Sequence, residues 1–309
     1  MVSVIIPVYN CANYLEEAVQ SVLPNRFVQE IILVEDNSSD NSLEICNALQ
    51  NKYSEKVKVF QQPRGKNFGA GLSRNLGIRK ARGIYISFLD GDDVFLTNRF
   101  EVSVPLLEND RYLDGVYEPT EVWFFDQEYK KSGKLESVRS NQGLISVGGD
   151  LNPEKLFQNL VVKGAGSIHL NGLTLRRKSI NNLNFSSLEL SQDIEFIVKL
   201  SLVKRLAAGP QNAPVAKYRF HGKNRAVDHF RKTIFFRIQM WKNLIKWSSN
   251  KKDVRYANKV ILKLRLVYDG LRYLRYKPLN IFSIIRYGFP LLFSPKVIWN
   301  FYRIRYTNK

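Results

Sequence analysis

Short runs of apolar residues, each ended by a polar cluster, constrain the fold of the N-terminal part most strongly. The runs lie at 2–8, 30–34, 57–60 and 84–89, and helical patterns at about 12–23, 41–52 and 72–81 separate them. Strands that alternate with helices predict a mostly parallel sheet with helices on both faces. We therefore predict an α/β fold that binds its ligands beyond the carboxyl ends of the strands.

The pattern changes in the second half of the chain. Residues 116–125 and 169–175 favour strands, 128–151 a loop, and 153–160 and 192–202 helices, while the sequence is helical almost throughout from about residue 230. Apolar residues at 194, 197, 198 and 202 recur at the spacing of one helix face. We predict one domain over 1–225 and a helical C-terminal region over 226–309.

The positive charge of the chain is concentrated in that C-terminal region. The net charge is +19, and residues 221–309 hold 21 Lys or Arg against three Asp. The same residues hold 17 of the 38 aromatic side chains, which a merely solvated basic tail would not need. A basic, aromatic and amphipathic helix is typical of a membrane interface, and we expect an anionic membrane surface as its partner. The alternatives are packing on the first domain or on a second subunit, and binding of a nucleic acid.

Composition narrows the class of protein further. At 44% apolar residues the chain can bury a substantial core. Two cysteines, Cys11 and Cys46, indicate a reducing compartment and no disulfide framework. We find neither a signal-peptide pattern nor an uncharged apolar stretch of about 18 residues. These observations predict a cytoplasmic location.

Three carboxylates follow the fourth apolar run, at Asp90, Asp92 and Asp93. Carboxylates this close repel one another unless a cation lies among them. Mg²⁺ or Mn²⁺ binds one or two carboxylates and accepts substrate phosphate oxygens as further ligands. The alternative is a solvated polar turn. Because Asp36 ends a neighbouring strand of the predicted sheet, we favour a site for a nucleotide diphosphate and its metal.

Four segments together resemble the family 2 glycosyltransferases of the GT-A fold. They are Val-Ser-Val-Ile-Ile-Pro-Val-Tyr-Asn at 2–10, Val-Glu-Asp-Asn-Ser-Ser-Asp at 34–40, Ser-Arg-Asn-Leu-Gly at 73–77 and Phe-Leu-Asp-Gly-Asp-Asp at 88–93. The resemblance covers about residues 1–110 well and extends weakly to about 225. It implies a Rossmann-like domain with a nucleotide-binding half at 1–110 and an acceptor half at 111–225.

The resemblance also implies which residues bind the nucleotide sugar. Those expected at the nucleotide are Pro7, Val8, Tyr9, Glu35, Asp36, Arg74, Asp90 and Gly91. Asp36 would accept a hydrogen bond from uracil, Arg74 would face the nucleotide, and Asp90 would lie at the ribose. Asp92 would bind the metal, with His221 as a second contact. Gly91 stands where relatives often have alanine, which we expect to leave metal binding intact.

A general base is expected on the helix at 192–202. Asp193 matches the base of the family, whereas Gln192 departs from the glutamate that commonly precedes it, and Glu195 is a weaker candidate for the base. The alternative for Asp193 is a carboxylate that only interacts with the helix dipole. A single base opposite the leaving group implies inversion at the anomeric carbon. We assign no function to His169 or His229.

Taken with the resemblance, these residues predict an inverting glycosyltransferase. We expect a nucleotide diphosphate sugar, by family habit a UDP-sugar, and Mn²⁺ or Mg²⁺ as cofactor. The expected acceptor is a saccharide or lipid-linked saccharide in cell-surface polysaccharide synthesis at the inner face of the membrane, and a homodimer is compatible with the tail. Alternative functions are nucleotide-sugar binding without turnover and nucleic-acid binding through the tail, and we expect no nucleic-acid partner.

Overall fold

A seven-stranded sheet forms the centre of the protein. In the computed structural model, which describes residues 1–63, 65–124, 143–220 and 230–274, the strand order is β10-β6-β9-β4-β1-β2-β3. Its strands are β1 (Val2–Val8), β2 (Val28–Glu35), β3 (Val57–Gln61), β4 (Tyr85–Phe88), β6 (Gly115–Tyr117), β9 (Leu173–Arg176) and β10 (Leu206–Ala208). All neighbouring strands are parallel except β9, which runs antiparallel to both β4 and β6. The predicted α/β class and mostly parallel sheet are confirmed.

Helices cover both faces of this sheet. The described α-helices are α1 (Ala12–Val22), α2 (Ser42–Lys52), α3 (Ala70–Lys80), α4 (Ser103–Asn109), α5 (Gln192–Val203), α6 (Phe230–Ser249) and α7 (Tyr256–Leu274). Alternate residues of β1 enter different cores, because Val4 and Ile6 pack with α1 and α2 whereas Ile5 packs on the opposite face. Gly77 of α3 lets that helix approach β1 closely, since a Cβ atom there would lie 2.4 Å from Ile5 Cγ2.

A second, four-stranded sheet lies beside the first, in the order β5-β11-β7-β8. Its strands are β5 (Val94–Phe95), β7 (Thr120–Phe124), β8 (Leu144–Ile145) and β11 (Ala216–Phe220). Strand β11 is parallel to β7 and antiparallel to β5, which directly follows the Asp90–Asp93 cluster. The second sheet therefore connects that cluster to the C-terminal part of the domain.

Two predicted elements of the second half differ from the structure. Residues 170–172 form a 3₁₀ turn before β9, so the strand predicted at 169–175 begins later. The helix predicted at 153–160 is a 3₁₀ turn at Pro153–Lys155 followed by a π-helix at Gln158–Lys163. Most of the loop predicted at 128–151 lies outside the described residues.

Helices α6 and α7 pack on the first domain through their apolar sides. Trp241 and Leu244 of α6 and Leu262 of α7 are buried in one cluster with Val161 and Val198. The Asn243 amide donates a hydrogen bond of 3.1 Å to the Glu195 carboxylate on α5. These apolar residues therefore pack on the domain, and they do not face a membrane. Among the described residues, no helix has the length and apolar character required to cross a bilayer.

Candidate functional site

The polar clusters that follow β1, β2 and β4 meet at one edge of the sheet. These strands are neighbours in the order β4-β1-β2, and they are parallel, so their carboxyl ends coincide. The Asp36 amide donates a hydrogen bond of 2.9 Å to the carbonyl of Val8, and the Leu89 amide donates one of 3.1 Å to that of Ile5. The segments at 9–10, 35–40 and 90–93 therefore form one continuous cleft wall, as the sequence predicts.

The end of β1 offers mostly backbone and one aromatic ring to this cleft. Val8 is fully buried and its carbonyl accepts the hydrogen bond from Asp36, whereas Tyr9 is 37% exposed and Pro7 half-buried. Asn10 has a φ of +51°, and its side-chain oxygen accepts a hydrogen bond of 2.8 Å from the Ser39 amide. The loops after β1 and β2 are thus fixed to each other.

Asp36 is buried and anchors the loop that leads into α3. Its carboxylate accepts hydrogen bonds from the backbone amides of Phe68, at 2.8 Å, and Gly69, at 2.7 Å. These amides precede the first turn of α3, where Gly69 has no side chain to cap the helix. Burial raises the pKa of Asp36, although the two amides oppose that shift. The neighbouring Glu35 accepts a hydrogen bond of 2.6 Å from the Ser38 amide.

Arg74 lies inside the domain and does not project into the open cleft. Its guanidinium forms an ion pair with Asp90 and donates a hydrogen bond of 3.1 Å to the side-chain oxygen of Gln192. Arg74 is 3% exposed, and Gln192 is also buried. Gln192 stands in place of the usual glutamate and is the first residue of α5. Its hydrogen bond with Arg74 therefore joins α5 to the nucleotide half. This contact joins residues that are far apart in the sequence, and the local pattern did not reveal it.

Asp93 is fully buried directly behind the cluster. Its carboxylate accepts hydrogen bonds of 2.7 Å from the Asn171 amide group and from the Arg219 backbone N–H. Burial, followed by the charges of Asp92 and Asp90, raises the pKa of Asp93 well above its usual range. Carboxylates that are crowded together and shielded from water repel one another, and a divalent cation reduces that repulsion.

His169 joins this cluster, although the sequence analysis gave it no function. One ligand atom each from Asp90, Asp93 and His169 lies within 4.8 Å of the others. His169 Nδ1 accepts a hydrogen bond of 3.3 Å from the backbone N–H of Asn171, and burial lowers the pKa of the imidazole. A neutral imidazole and carboxylate oxygens are donors that Mn²⁺ accepts. The residues at this edge therefore fit a metal ion. Asn171 contacts all three residues, and no local sequence pattern identified His169.

The predicted base lies in the first turn of α5. Asp193 is half-buried and directly follows Gln192, which accepts a hydrogen bond of 3.1 Å from Arg74. Glu195 is buried, where it pairs with Lys199 at 2.6 Å and accepts a hydrogen bond of 2.9 Å from Ser186. These contacts give Glu195 a structural role. Of the two carboxylates, Asp193 is the one more exposed to solvent. His221 lies outside the described residues.

Comparison with known proteins places this arrangement in a family. A family model described as Glycosyl transferase family 2 matches residues 3–162, which are more than half of the chain. The chain belongs to glycosyl transferase family 2. The match covers all four motifs that carry the resemblance, so the family predicted from them is confirmed.

Individual relatives match only part of this family member. An "Uncharacterized glycosyltransferase" of Rickettsia bellii is 36% identical over 140 residues, which are 45% of this chain and 19% of the relative. The chondroitin synthase of Pasteurella multocida is 35% identical over 118 residues, 38% of this chain and 12% of that protein. The chain thus spans a fifth or less of the length of these curated relatives.

The likeness to solved structures extends over almost the whole chain. The structure of S. aureus TarS 1-349 in complex with UDP-GlcNAc matches 98% of this chain and 81% of that one, with a TM-score of 0.65 and 16% identity. At this identity the likeness establishes the fold, and the GT-A fold predicted from the sequence is confirmed.

Proposed function

We propose that this family member is an inverting glycosyltransferase that moves a sugar from a UDP-sugar to a saccharide or lipid-linked acceptor. This proposal is supported by the placement of Asp36 and of the Asp90–Asp93 cluster after neighbouring parallel strands, and by Arg74, which joins Asp90 to Gln192, the residue before Asp193. The UDP-GlcNAc held by the TarS structure supports a UDP-sugar donor. The names of the relatives support a role in polysaccharide synthesis.

The nucleotide end of the cleft has the features that a uridine needs. The exposed Tyr9 ring can stack on a base, and the half-buried Pro7 lies next to it at the end of β1, with the fully buried Val8 between them in the sequence. The Asp36 carboxylate, which already holds two amides, retains lone pairs for the N–H of a uracil. Glu35 orients the adjoining loop through Ser38. Arg74 acts on the ribose and diphosphate region indirectly, by fixing Asp90.

We expect a divalent cation to bind Asp92, beside the group of Asp90, Asp93 and His169, whose ligand atoms lie within 4.8 Å of one another and which does not include Asp92. Such a cation would supply charge neutralisation for the departing diphosphate. The carboxylate cluster supplies the hard oxygen donors that Mn²⁺ or Mg²⁺ prefers. Asn171 orients this cluster by contacting the Asp90 amide, Asp93 and His169.

Asp193 would remove the proton from the acceptor hydroxyl as that oxygen attacks the anomeric carbon. The new bond forms from the acceptor oxygen to the anomeric carbon, while the bond to the diphosphate oxygen breaks on the opposite face. One displacement of this kind inverts the configuration. The exposed Ile194 and half-buried Tyr218 lie near Asp193 and offer apolar surface to a saccharide ring.

We also propose that the enzyme binds the anionic inner face of the membrane through α6 and α7. Residues 230–274 carry twelve Lys or Arg against two Asp, and one of these, Asp269, is buried. Tyr256 is 82% exposed at the start of α7, close in sequence to Lys252 and Arg255. Basic side chains with an exposed aromatic ring fit an anionic lipid surface. Binding to anionic vesicles, and none to neutral ones, tests this surface.

The test of the catalytic proposal uses the purified chain, a panel of nucleotide sugars, and Mn²⁺ or Mg²⁺. We expect Asp92→Ala to abolish metal-dependent nucleotide binding. Asp193→Asn should retain that binding and lose transfer by about 10²- to 10⁴-fold, the usual contribution of a general base. Asp253→Asn, an exposed carboxylate at the turn between α6 and α7, is the matched control and should behave as the wild type.

Two results would contradict the proposal. Transfer at full rate in excess chelator would remove the metal from the mechanism. Normal transfer by Asp193→Asn would show that another group is the base. Metal-dependent binding of UDP-sugars without turnover of any acceptor or water would instead favour the alternative of a nucleotide-sugar-binding protein.

A further inference from the structure

We propose that Cys11 and Gly91 form a matched pair, in which the Cys11 thiol occupies the space of a side chain at position 91 and thereby restricts the Asp90–Asp92 turn to glycine at that position. The inference rests on the proposed function, because it concerns how that turn holds Asp92. Cys11 directly precedes α1, at the end of the loop that carries Tyr9. Nothing in the local sequence joins Cys11 to the turn, which follows 79 residues later.

The first observation is steric. A Cβ atom built on Gly91 would lie 2.7 Å from the Cys11 sulfur, a distance that real Cβ contacts do not reach. Its next neighbours would be the Pro7 carbonyl oxygen at 3.3 Å and Cys11 Cβ at 3.6 Å. The sulfur therefore fills the space below the turn, and without it an alanine at position 91 fits with only close or ordinary contacts.

The second observation concerns the backbone of Gly91. Six described glycines have a positive φ, and Gly91 is not among them. Its conformation is therefore open to residues with a side chain, and the turn does not need glycine for flexibility. Glycine is required here because Cys11 occupies the space of a side chain.

The third observation is that the sulfur cannot easily move aside. Cys11 is 7% exposed, and its amide donates a hydrogen bond of 3.0 Å to the Ser42 hydroxyl. A side chain at position 91 would therefore displace the turn, and with it Asp92, before it displaced the thiol.

In relatives that carry alanine at the position of Gly91, the pair predicts a smaller residue or a different local path at the position of Cys11. In this chain the sulfur takes the place of that methyl group. It touches the turn from below while the turn presents Asp92 to the cleft. The thiol thus links the loop that carries Tyr9 to the loop that carries the metal ligand.

A double-mutant cycle tests the pair. We expect Gly91→Ala to raise the Mn²⁺ concentration needed for half-maximal UDP binding and transfer by roughly tenfold or more, as overpacking next to a ligand does. Cys11→Ala alone should change it by less than about threefold, and the double variant Cys11→Ala/Gly91→Ala should return to within about threefold of wild type. The thermal midpoint, measured in parallel without metal, separates loss of folding from loss of metal affinity.

Cys46→Ala is the matched control, because Cys46 is the other cysteine and is also fully buried. The Cys46→Ala/Gly91→Ala variant should keep the defect of Gly91→Ala. Should Gly91→Ala fail to fold, the pair predicts that Cys11→Ala restores both folding and the metal dependence, and that Cys46→Ala restores neither.

Three outcomes overturn the pairing alone: a wild-type metal dependence of Gly91→Ala, a double variant as defective as Gly91→Ala, or an equal rescue by Cys46→Ala. Absence of metal-dependent UDP binding in the wild-type chain would instead reject the proposed function and this inference with it. The wild-type measurement therefore distinguishes the two failures.

Discussion

Removal of the charge on Glu118 should destabilise the domain strongly, because it leaves a buried arginine without its counter-ion. Arg99 is fully buried, and its guanidinium lies 3.1 Å from the Glu118 carboxylate, which is also buried. The guanidinium also donates hydrogen bonds to three neutral groups, namely the hydroxyl of Ser87 at 2.7 Å, the carbonyl of Leu173 at 3.1 Å and the hydroxyl of Ser103 at 3.4 Å. Ser87 belongs to β4, the strand that ends at the carboxylate cluster.

The distance sets the size of the effect. Two unit charges 3.1 Å apart interact by about 5 kcal/mol at an effective dielectric constant of ~20. In Glu118→Gln the amide oxygen can still accept a hydrogen bond from Arg99, which returns about 1–2 kcal/mol. We therefore expect the free energy of unfolding to fall by about 3–4 kcal/mol, in the range measured when one partner of a buried ion pair is removed.

Equilibrium unfolding in urea, followed by tryptophan fluorescence, measures this change. The paired substitution Arg99→Met/Glu118→Leu should recover most of the loss, because it removes both charges and fills the space with apolar atoms. Arg26 and Glu101 form an exposed ion pair at 2.7 Å, so Glu101→Gln is the surface control and should cost less than about 1 kcal/mol. A loss below about 1 kcal/mol for Glu118→Gln would refute the reasoning that the interior cannot solvate the Arg99 charge.

Two further predictions concern buried titratable groups. Burial raises the pKa of Cys11 to about 12 and also raises that of Cys46. We therefore expect neither thiol of the native protein to react with an aromatic disulfide reagent at neutral pH, whereas both should react in denaturant. Stoichiometric labelling of the native protein would contradict this. Burial also raises the pKa of Asp36, and an acid with a raised native pKa loses its contribution to stability as the pH rises through that value. The difference in unfolding free energy between wild type and Asp36→Asn, measured without nucleotide, should therefore be larger at about pH 4 than at about pH 7, and a difference that grows with pH would contradict the assignment.

The structure changes the interpretation of Arg74 and of the basic tail most. From the motif alone, Arg74 is expected at the nucleotide, whereas the guanidinium is enclosed between Asp90 and Gln192. Its position links the first residue of α5, and thereby the predicted base, to the end of β4. The apolar residues of α6 and α7 that form one buried cluster pack on α5 and on each other, whereas Phe235 of α6 is 43% exposed. The basic sides of the same helices remain the surface to which the membrane proposal applies.

The sequence by itself determined the central sheet, the edge at which the site lies, and the family. Apolar runs of strand length and the helices between them are local patterns, and parallel strands must bring their carboxyl ends to one edge, so Asp36 and Asp90 could be placed there without coordinates. Only the tertiary structure decided that β9 enters the sheet antiparallel, that His169 joins the carboxylates, and that Cys11 lies beneath Gly91. These facts depend on contacts between residues far apart in the chain, and the burial of a side chain against a distant partner leaves no periodic signal in the sequence around it.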